Sequence, residues 1–283
     1  MVYSLGRDLN TRPRVNQRTP GSLSNARMVS AAVLPAVLNP NNQNNRPALS
    51  VGKSEYDAMI IGLRRRMSHG VDFTAGYTLA RSRSSIGSAV DQLNTANIQD
   101  PRNPYDAPVQ FGPTTDTDAR HRITLSASFQ LPMGFRLAPV YSWRSALPVA
   151  LTDGRDINLD GDATDIPATA YAVDSFNADT GVVTVKQIGN CETVNCGRGM
   201  AQQQMNLRFS KVFNLGGRFR AEAIGEMYNL FNAVNPGGFR TRVLVPSGTT
   251  GTPDATLLQP ANYSGDFRRP EQRVGQIGVR FTF

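Results

Sequence analysis

An all-β fold, specifically an antiparallel transmembrane β-barrel, is what this sequence predicts, and three observations carry the prediction. Segments of roughly ten residues alternate apolar and polar side chains with a period of two, the mark of strands with unlike faces. These segments come in pairs joined by tight turns, whereas successive pairs are separated by long polar stretches, so short connections lie on one side only. The chain then ends inside such a segment, on the apolar-face residue Phe283. A soluble β-sandwich would place short connections at both ends. A barrel in a bilayer combines short turns on one side with long loops on the other, lipid-facing apolar positions and a polar lumen. Closure of the barrel also removes unpaired backbone groups from lipid.

Taken in order, Met1 to Leu5 reads as the end of a strand and residues 6–51 as a long loop rich in Asn, Pro, Arg and Ser. Within that loop, Met28 to Leu38 is apolar but broken by Pro35. It is far short of the ~20 residues a spanning helix needs and lacks signal-peptide flanks. The first hairpin sets Met59, Ile61 and Leu63 on one face, turns at Ser68-His69-Gly70, and returns with Val71, Phe73, Ala75, Tyr77 and Leu79. Ser82 to Ala119 is a Pro-punctuated loop. The second hairpin aligns Ile123, Leu125, Ala127 and Phe129 opposite Thr124, Ser126, Ser128 and Gln130, turns at Pro132-Met133-Gly134, and returns through Phe135, Leu137, Tyr141 and Trp143. Residues 147–201 read as the longest loop. The third hairpin pairs Met205, Leu207 and Phe209 with Phe219, Ala221, Ala223 and Met227, and residues 232–269 read as a further loop. In the last strand Gly275, Ile277, Val279, Phe281 and Phe283 share the apolar face, for about eight strands in all.

Composition is consistent with this and excludes several classes. The 283 residues are 40% hydrophobic with a mean hydropathy of −0.33, unlike a helical membrane protein. The net charge of +8 is carried by arginine, since Lys53, Lys186 and Lys211 are the only lysines. These arginines are scattered, with Arg64-Arg65-Arg66 the longest run, and no nucleic-acid motif accompanies them, so no nucleic-acid partner is expected. No nucleophile elbow, phosphate loop or catalytic carboxylate pair is present, and no enzyme activity is expected. Glu222 and Glu226 share a face with Arg220, which reads as a salt-bridged lumen wall.

Short motifs then suggest a family. Ser54-Glu55-Tyr56-Asp57-Ala58-Met59, Asp118-Ala119-Arg120-His121-Arg122, Asn206-Leu207-Arg208-Phe209-Ser210-Lys211, and Ala221-Glu222-Ala223 running into Tyr228-Asn229-Leu230-Phe231-Asn232 resemble barrel segments of TonB-dependent outer-membrane receptors. The Phe-terminated last strand does so too, and the order of the motifs resembles the Oar-like branch, which carries a carboxypeptidase-regulatory-like domain. The resemblance implies a place in the cell outer membrane of a Gram-negative bacterium, among lipid and lipopolysaccharide, with Phe283 read by the barrel assembly machinery. It implies uptake of a scarce solute (siderophore, carbohydrate or peptide-like) through a plugged barrel of about 22 strands. The chain 1–283 then corresponds to the C-terminal part of the barrel, without plug domain or signal peptide, and the TonB complex would be met only through such a plug. A surface barrel displaying its loops for adhesion, or a truncated non-functional fragment, is the alternative, and a soluble Arg-rich β protein is a third.

Two loop features could carry chemistry. Asp156, Asn158, Asp160 and Asp162, with Asp165 nearby, place oxygen ligands at alternate positions around Gly161, as a calcium loop does. Pro167 stands where an EF-hand has its bidentate Glu, so the alternative is an acidic Asx-turn loop. No cofactor is expected beyond this possible calcium. Cys191 and Cys196 are the only cysteines and close a small loop, consistent with a disulfide in an oxidising compartment. Zinc is disfavoured because His69 and His121 are remote in sequence and fall at strand ends.

Overall fold

A computed structural model of the chain describes residues 2–11, 15–16, 44–45, 49–84, 111–155, 165–247, 250–263 and 272–283. Among the described residues nine strands form the main sheet, eight of them in one continuous path: β1 (Val2–Thr11), β2 (Leu49–Ser68), β3 (Val71–Ser84), β4 (His121–Gln130), β5 (Phe135–Arg144), β6 (Gln202–Gly216), β7 (Phe219–Tyr228) and β8 (Val274–Thr282), with the short strand Gly112–Pro113 beside β3. The order of these eight in the sheet is their order in the chain, every neighbour pair is antiparallel, and β1 and β8 are its edges.

Tight turns connect β2 to β3, β4 to β5 and β6 to β7, all at one end of the sheet. The first is a two-residue turn in which His69 (φ 52°) and Gly70 (φ 76°) are both left-handed, the geometry that matches strand twist. Glycine accepts that backbone freely, and histidine is among the side chains that tolerate it.

The registers keep residue parity across the sheet, so the apolar alternation of each strand merges into continuous rows. Leu63, Ala75, Leu125, Tyr141 and Met205 are successive cross-strand partners, as are Val71, Phe129, Leu137, Phe209, Gly225 and Ile277. The opposite face aligns Arg64, Thr74, Ser126, Val140 and Asn206 in one row and Ala138, Arg208, Glu226 and Gln276 in another. Midway along the sheet, burial runs against the usual order of a water-soluble sheet at one pair of neighbours. On the interior strand β6, Phe209 is 44% exposed while its neighbour Ser210 is 3% exposed. An exposed apolar side chain beside a covered polar one suits lipid outside and a polar lumen inside.

Aromatic side chains bracket the apolar band. Near the turns Phe135 stacks on Phe209 with ring centroids 5.4 Å apart, and the Lys211 ammonium lies 4.5 Å from the Phe135 ring, a pairing suited to a headgroup interface. At the other end Tyr77 stacks on His121 and Trp143 lies close by in the next strand pair. Phe135 and Trp143 bound β5 on one face, and at ~3.3 Å per residue the eight steps between them span ~26 Å, or ~20 Å across a bilayer once strand tilt is included.

Several stretches expected to be loops are ordered strand. β1 runs to Thr11 and β2 starts at Leu49, with Thr11 opposite Leu49, inside the expected 6–51 loop. β3 continues to Ser84, where Arg83 and Ser84 pair with Gly112–Pro113. These extensions lie beyond the apolar band, so nothing there demands alternating apolar side chains. Instead the small residues Ala80, Ser82 and Ser84 are buried under the loops.

The loops at that end build a unit of their own. Strands Pro148–Val149, Thr169–Phe176, Val183–Asn190 and Gly197–Arg198 form a four-stranded sheet, and Pro236–Phe239 with Pro260–Tyr263 and Leu244–Ser247 with Thr250–Pro253 form two small hairpins. Val149, Leu151, Val183, Val243, Leu257 and Leu258 pack as their common core, with Leu258 fully buried. The principal apolar core of the described residues therefore sits in the loops rather than the sheet. Gly154 allows this closeness: its φ is +92°, and a Cβ there would collide with the Leu244 carbonyl.

Candidate functional site

The polar face of the main sheet carries two clusters of charged and hydrogen-bonding side chains. The lower cluster is an ion-pair ladder across β6, β7 and β8. Register puts Arg208 opposite Glu226 and Glu222 opposite Arg280. Arg208 Nη1 lies 3.5 Å from Glu226 Oε1 and its Nη2 3.7 Å from Glu222 Oε1, while Arg280 Nη1 lies 3.8 Å from Glu222 Oε2. Ser210 Oγ donates to Glu222 Oε1 at 2.7 Å, and the Gln276 amide donates to Glu226. The sequence expectation paired these glutamates with Arg220. Arg220 shares their face, but the pairing register brings Arg208 and Arg280 to them instead. Parity alone could not tell which arginine on the face would be adjacent. At these separations each contact is worth roughly 1 kcal/mol or less, so the ladder shapes the wall's charge more than it stabilises the fold.

The upper cluster lies where the sheet meets the loop unit. Thr78, Arg122, Arg144 and Gln202 are successive partners across β3, β4, β5 and β6. Gln202 Oε1 accepts from Arg144 Nε at 3.0 Å and from Nη2 at 2.6 Å, and its Nε2 donates to the Pro236 carbonyl at 2.6 Å. Arg122 Nη2 donates to the Thr117 carbonyl at 3.2 Å. Asn235, 6% exposed, accepts from the Gln203 N–H and donates to the Gln203 carbonyl, which closes the free edge of upper β6. A pocket of about 230 Å³ opens between these groups, reached also by Thr124, Ser142 and Gln204.

The motifs quoted from the sequence take structural places around these clusters. Asp118, 3% exposed, accepts from the Ser82 N–H at 2.8 Å and lies 3.3 Å from the Arg198 guanidinium, tying β3 to the loop sheet. His121 Nδ1 and the Tyr77 hydroxyl share a hydrogen bond at 2.8 Å on the outer face. In the Tyr228–Asn232 motif, Asn229 (φ 49°) and Asn232 (φ 51°) adopt the left-handed backbone that asparagine tolerates. The Asn229 side chain bonds both the N–H and the C=O of Ala233, and Asn232 Oδ1 receives the N–H of Arg273 just before β8. That motif is a turn that ends β7 and also holds the backbone entering β8.

Of the expected calcium ligands, Asp156, Asn158, Asp160 and Asp162 lie outside the described residues. Asp165 is buried, and its carbonyl receives the Asp153 N–H at 2.7 Å, which joins the two flanks of that segment. Asp153 also holds Arg155 in a two-point contact at 2.6 and 3.2 Å, and this hydrogen bonding raises the Arg155 pKa above its ordinary value. Cys191 and Cys196 are bonded to each other with Cα atoms 5.4 Å apart, and Cys196 packs against the loop core. The loop core itself was missed by the sequence reading, because its residues are single apolar positions scattered over more than a hundred residues of polar sequence.

A meander with a lipid-facing apolar side, a charged inner side, aromatic rims and one-sided loops defines an outer-membrane β-barrel protein. The chain belongs to the outer membrane beta barrel domain family, whose match covers residues 2–269. Its place is the outer membrane. Among solved structures it is similar to the outer membrane transporter YddB from Escherichia coli at 13% identity and a TM-score of 0.46, over 98% of this chain and 29% of that one. The chain thus spans under a third of that transporter's length. No curated protein matches it.

Proposed function

We propose that the chain forms part of the wall and mouth of a TonB-dependent transporter of the Oar-like branch, which takes up a scarce solute without altering it chemically. The observation that carries this reading is the polar face: a charged wall rises to a pocket edged by Asn235 of the loops, and those loops have their own folded core. A wall needed only to hold a barrel together would not require a structured mouth above it. The open edges β1 and β8 support further strands completing the barrel, because unpaired edges cannot face lipid. Energy coupling would come through a plug inside the barrel, so the TonB complex would not touch this sheet directly. A second reading, display of the loops as an adhesive surface, is favoured by the same folded loop unit.

The discriminating experiment compares solute accumulation in cells with and without the gene, each with and without a proton-motive-force uncoupler. Transport predicts accumulation that needs both the gene and an energised membrane. Accumulation indifferent to the gene, alongside a loss of surface attachment when it is deleted, would replace transport with display.

A further inference from the structure

The upper cluster has a feature that wall-building does not explain. Arg122 and Arg144 are direct cross-strand partners on the polar face. Like charges directly opposite each other destabilise a strand pair. Neither guanidinium is paired with a carboxylate among the described residues. Their partners are the neutral oxygens of Thr117 and Gln202. This contrasts with the lower ladder, where Arg208 and Arg280 each reach a glutamate.

The arrangement is also held in place from outside the strands. Gln202 is clamped between Arg144 and the Pro236 carbonyl, and the adjoining Asn235 is buried and locks the β6 backbone. Arg144 spends Nε and Nη2 on Gln202, and Arg122 spends one Nη2 donor on Thr117. Each guanidinium carries five N–H donors in a fixed fork, a geometry that matches a pair of oxygens on a carboxylate or phosphate. Both arginines line a pocket of about 230 Å³, together with Thr124 and Ser142 and, from the strand backbone's other side, Ile123 and Trp143.

We propose that Arg122 and Arg144 form an anion-binding site at the mouth of the barrel, taking a solute that bears a carboxylate or phosphate group. This rests on the transport reading above and gives its substrate a chemical class. Thr124 and Ser142 supply neutral hydrogen bonds beneath the two cations. Gln202 is a positioning residue, fixing the Arg144 fork through the loop carbonyl of Pro236.

The test uses the full-length protein purified from outer membranes in detergent, titrated by calorimetry with citrate and with inorganic phosphate. Arg122→Gln, Arg144→Gln and the double variant are compared with Arg220→Gln, a polar-face arginine near the turn end. Heat-modifiable gel mobility confirms that each is folded. At least one probe should bind, each single variant should weaken it about tenfold or more, as expected for a charge-assisted contact, and Arg220→Gln should leave it unchanged. Gln202→Ala should weaken binding through Arg144 alone, so it should add little in the Arg144→Gln background. Absence of binding by the unaltered protein, or equal weakening by Arg220→Gln, would overturn the site. The uptake assay separates the two readings. Anion binding without energy-dependent accumulation keeps the site and rejects transport. Energy-dependent uptake that is indifferent to both arginine variants does the reverse.

Discussion

Placing an arginine at Leu125 puts the two faces of the sheet in direct opposition. Leu125 is the fifth of ten residues in β4, its side chain is 44% exposed, and its cross-strand partners are Ala75 and Tyr141 on the apolar face. It therefore lies near the middle of the apolar band, where an arginine facing lipid costs about 2–4 kcal/mol. That corresponds to a change of roughly 30- to 1000-fold in the folded-to-unfolded ratio, or about 1 M or more in a urea midpoint. Phe129 shares the face but sits beside the turn, where Gln130 N–H donates to the Gly70 carbonyl, so Phe129→Arg should cost only about 0–1 kcal/mol as an interfacial position. Ser126 is Leu125's neighbour on the opposite face, between Thr74 and Val140, and Ser126→Arg should be tolerated. The assay is urea unfolding of the full-length protein in phosphatidylcholine vesicles, scored by heat-modifiable gel mobility. Equal losses at Leu125 and Ser126 would refute the assignment of faces.

The other predictions concern the wall and the loops. Glu222→Ala leaves Arg208 and Arg280 without their shared carboxylate and Ser210 without its acceptor, so it should destabilise by about 1–3 kcal/mol. Arg280→Ala, at a more exposed partner, should cost about 0–1 kcal/mol in the same unfolding assay. In the loop unit Asp254 has its pKa lowered from 3.8 to about 2, chiefly by the Thr256 hydroxyl and backbone N–H and then by Arg242. Its folded value lies below its unfolded value, so its contribution is fully present above about pH 4 and is lost as pH falls towards 2. Asp254→Asn should flatten that part of the loop unit's acid sensitivity, read by limited proteolysis across the range. Replacing Cys191 and Cys196 by serine removes a small closed loop worth about 2 kcal/mol by chain entropy. Proteolysis of the loops should quicken while the gel shift of the barrel stays unchanged.

Legibility in the sequence followed what each element buries. Strands crossing the apolar band, such as His121–Gln130 and Val274–Thr282, need one apolar face in lipid, so their alternation is plain within ten residues. Leu49–Gly52 and Gly6–Thr11 are held by backbone pairing beyond that band and carry no such pattern. The loop core depends on contacts between Val149, Val183 and Leu258, which no local window can reveal. At the polar face, alternation separated Thr124, Ser126 and Ser128 from the apolar residues, but nothing in the sequence singled out Arg122, Arg144 and Gln202 as a group. Only the register makes them partners, and only the fold brings Asn235 and Pro236 against them.

The central claim is that one face of this sheet meets lipid and the other meets water. Single cysteines placed in turn from Ile123 to Phe129, in the full-length protein with Cys191 and Cys196 replaced by serine, read it residue by residue in intact outer membranes. Substitutions at Thr124, Ser126 and Ser128 should react with a water-soluble maleimide. Those at Ile123, Leu125 and Ala127 should resist it and, once labelled in denaturant and refolded, show fluorescence quenched by lipid-borne quenchers. Uniform reactivity along the strand, or alternation of the opposite phase, would contradict the account.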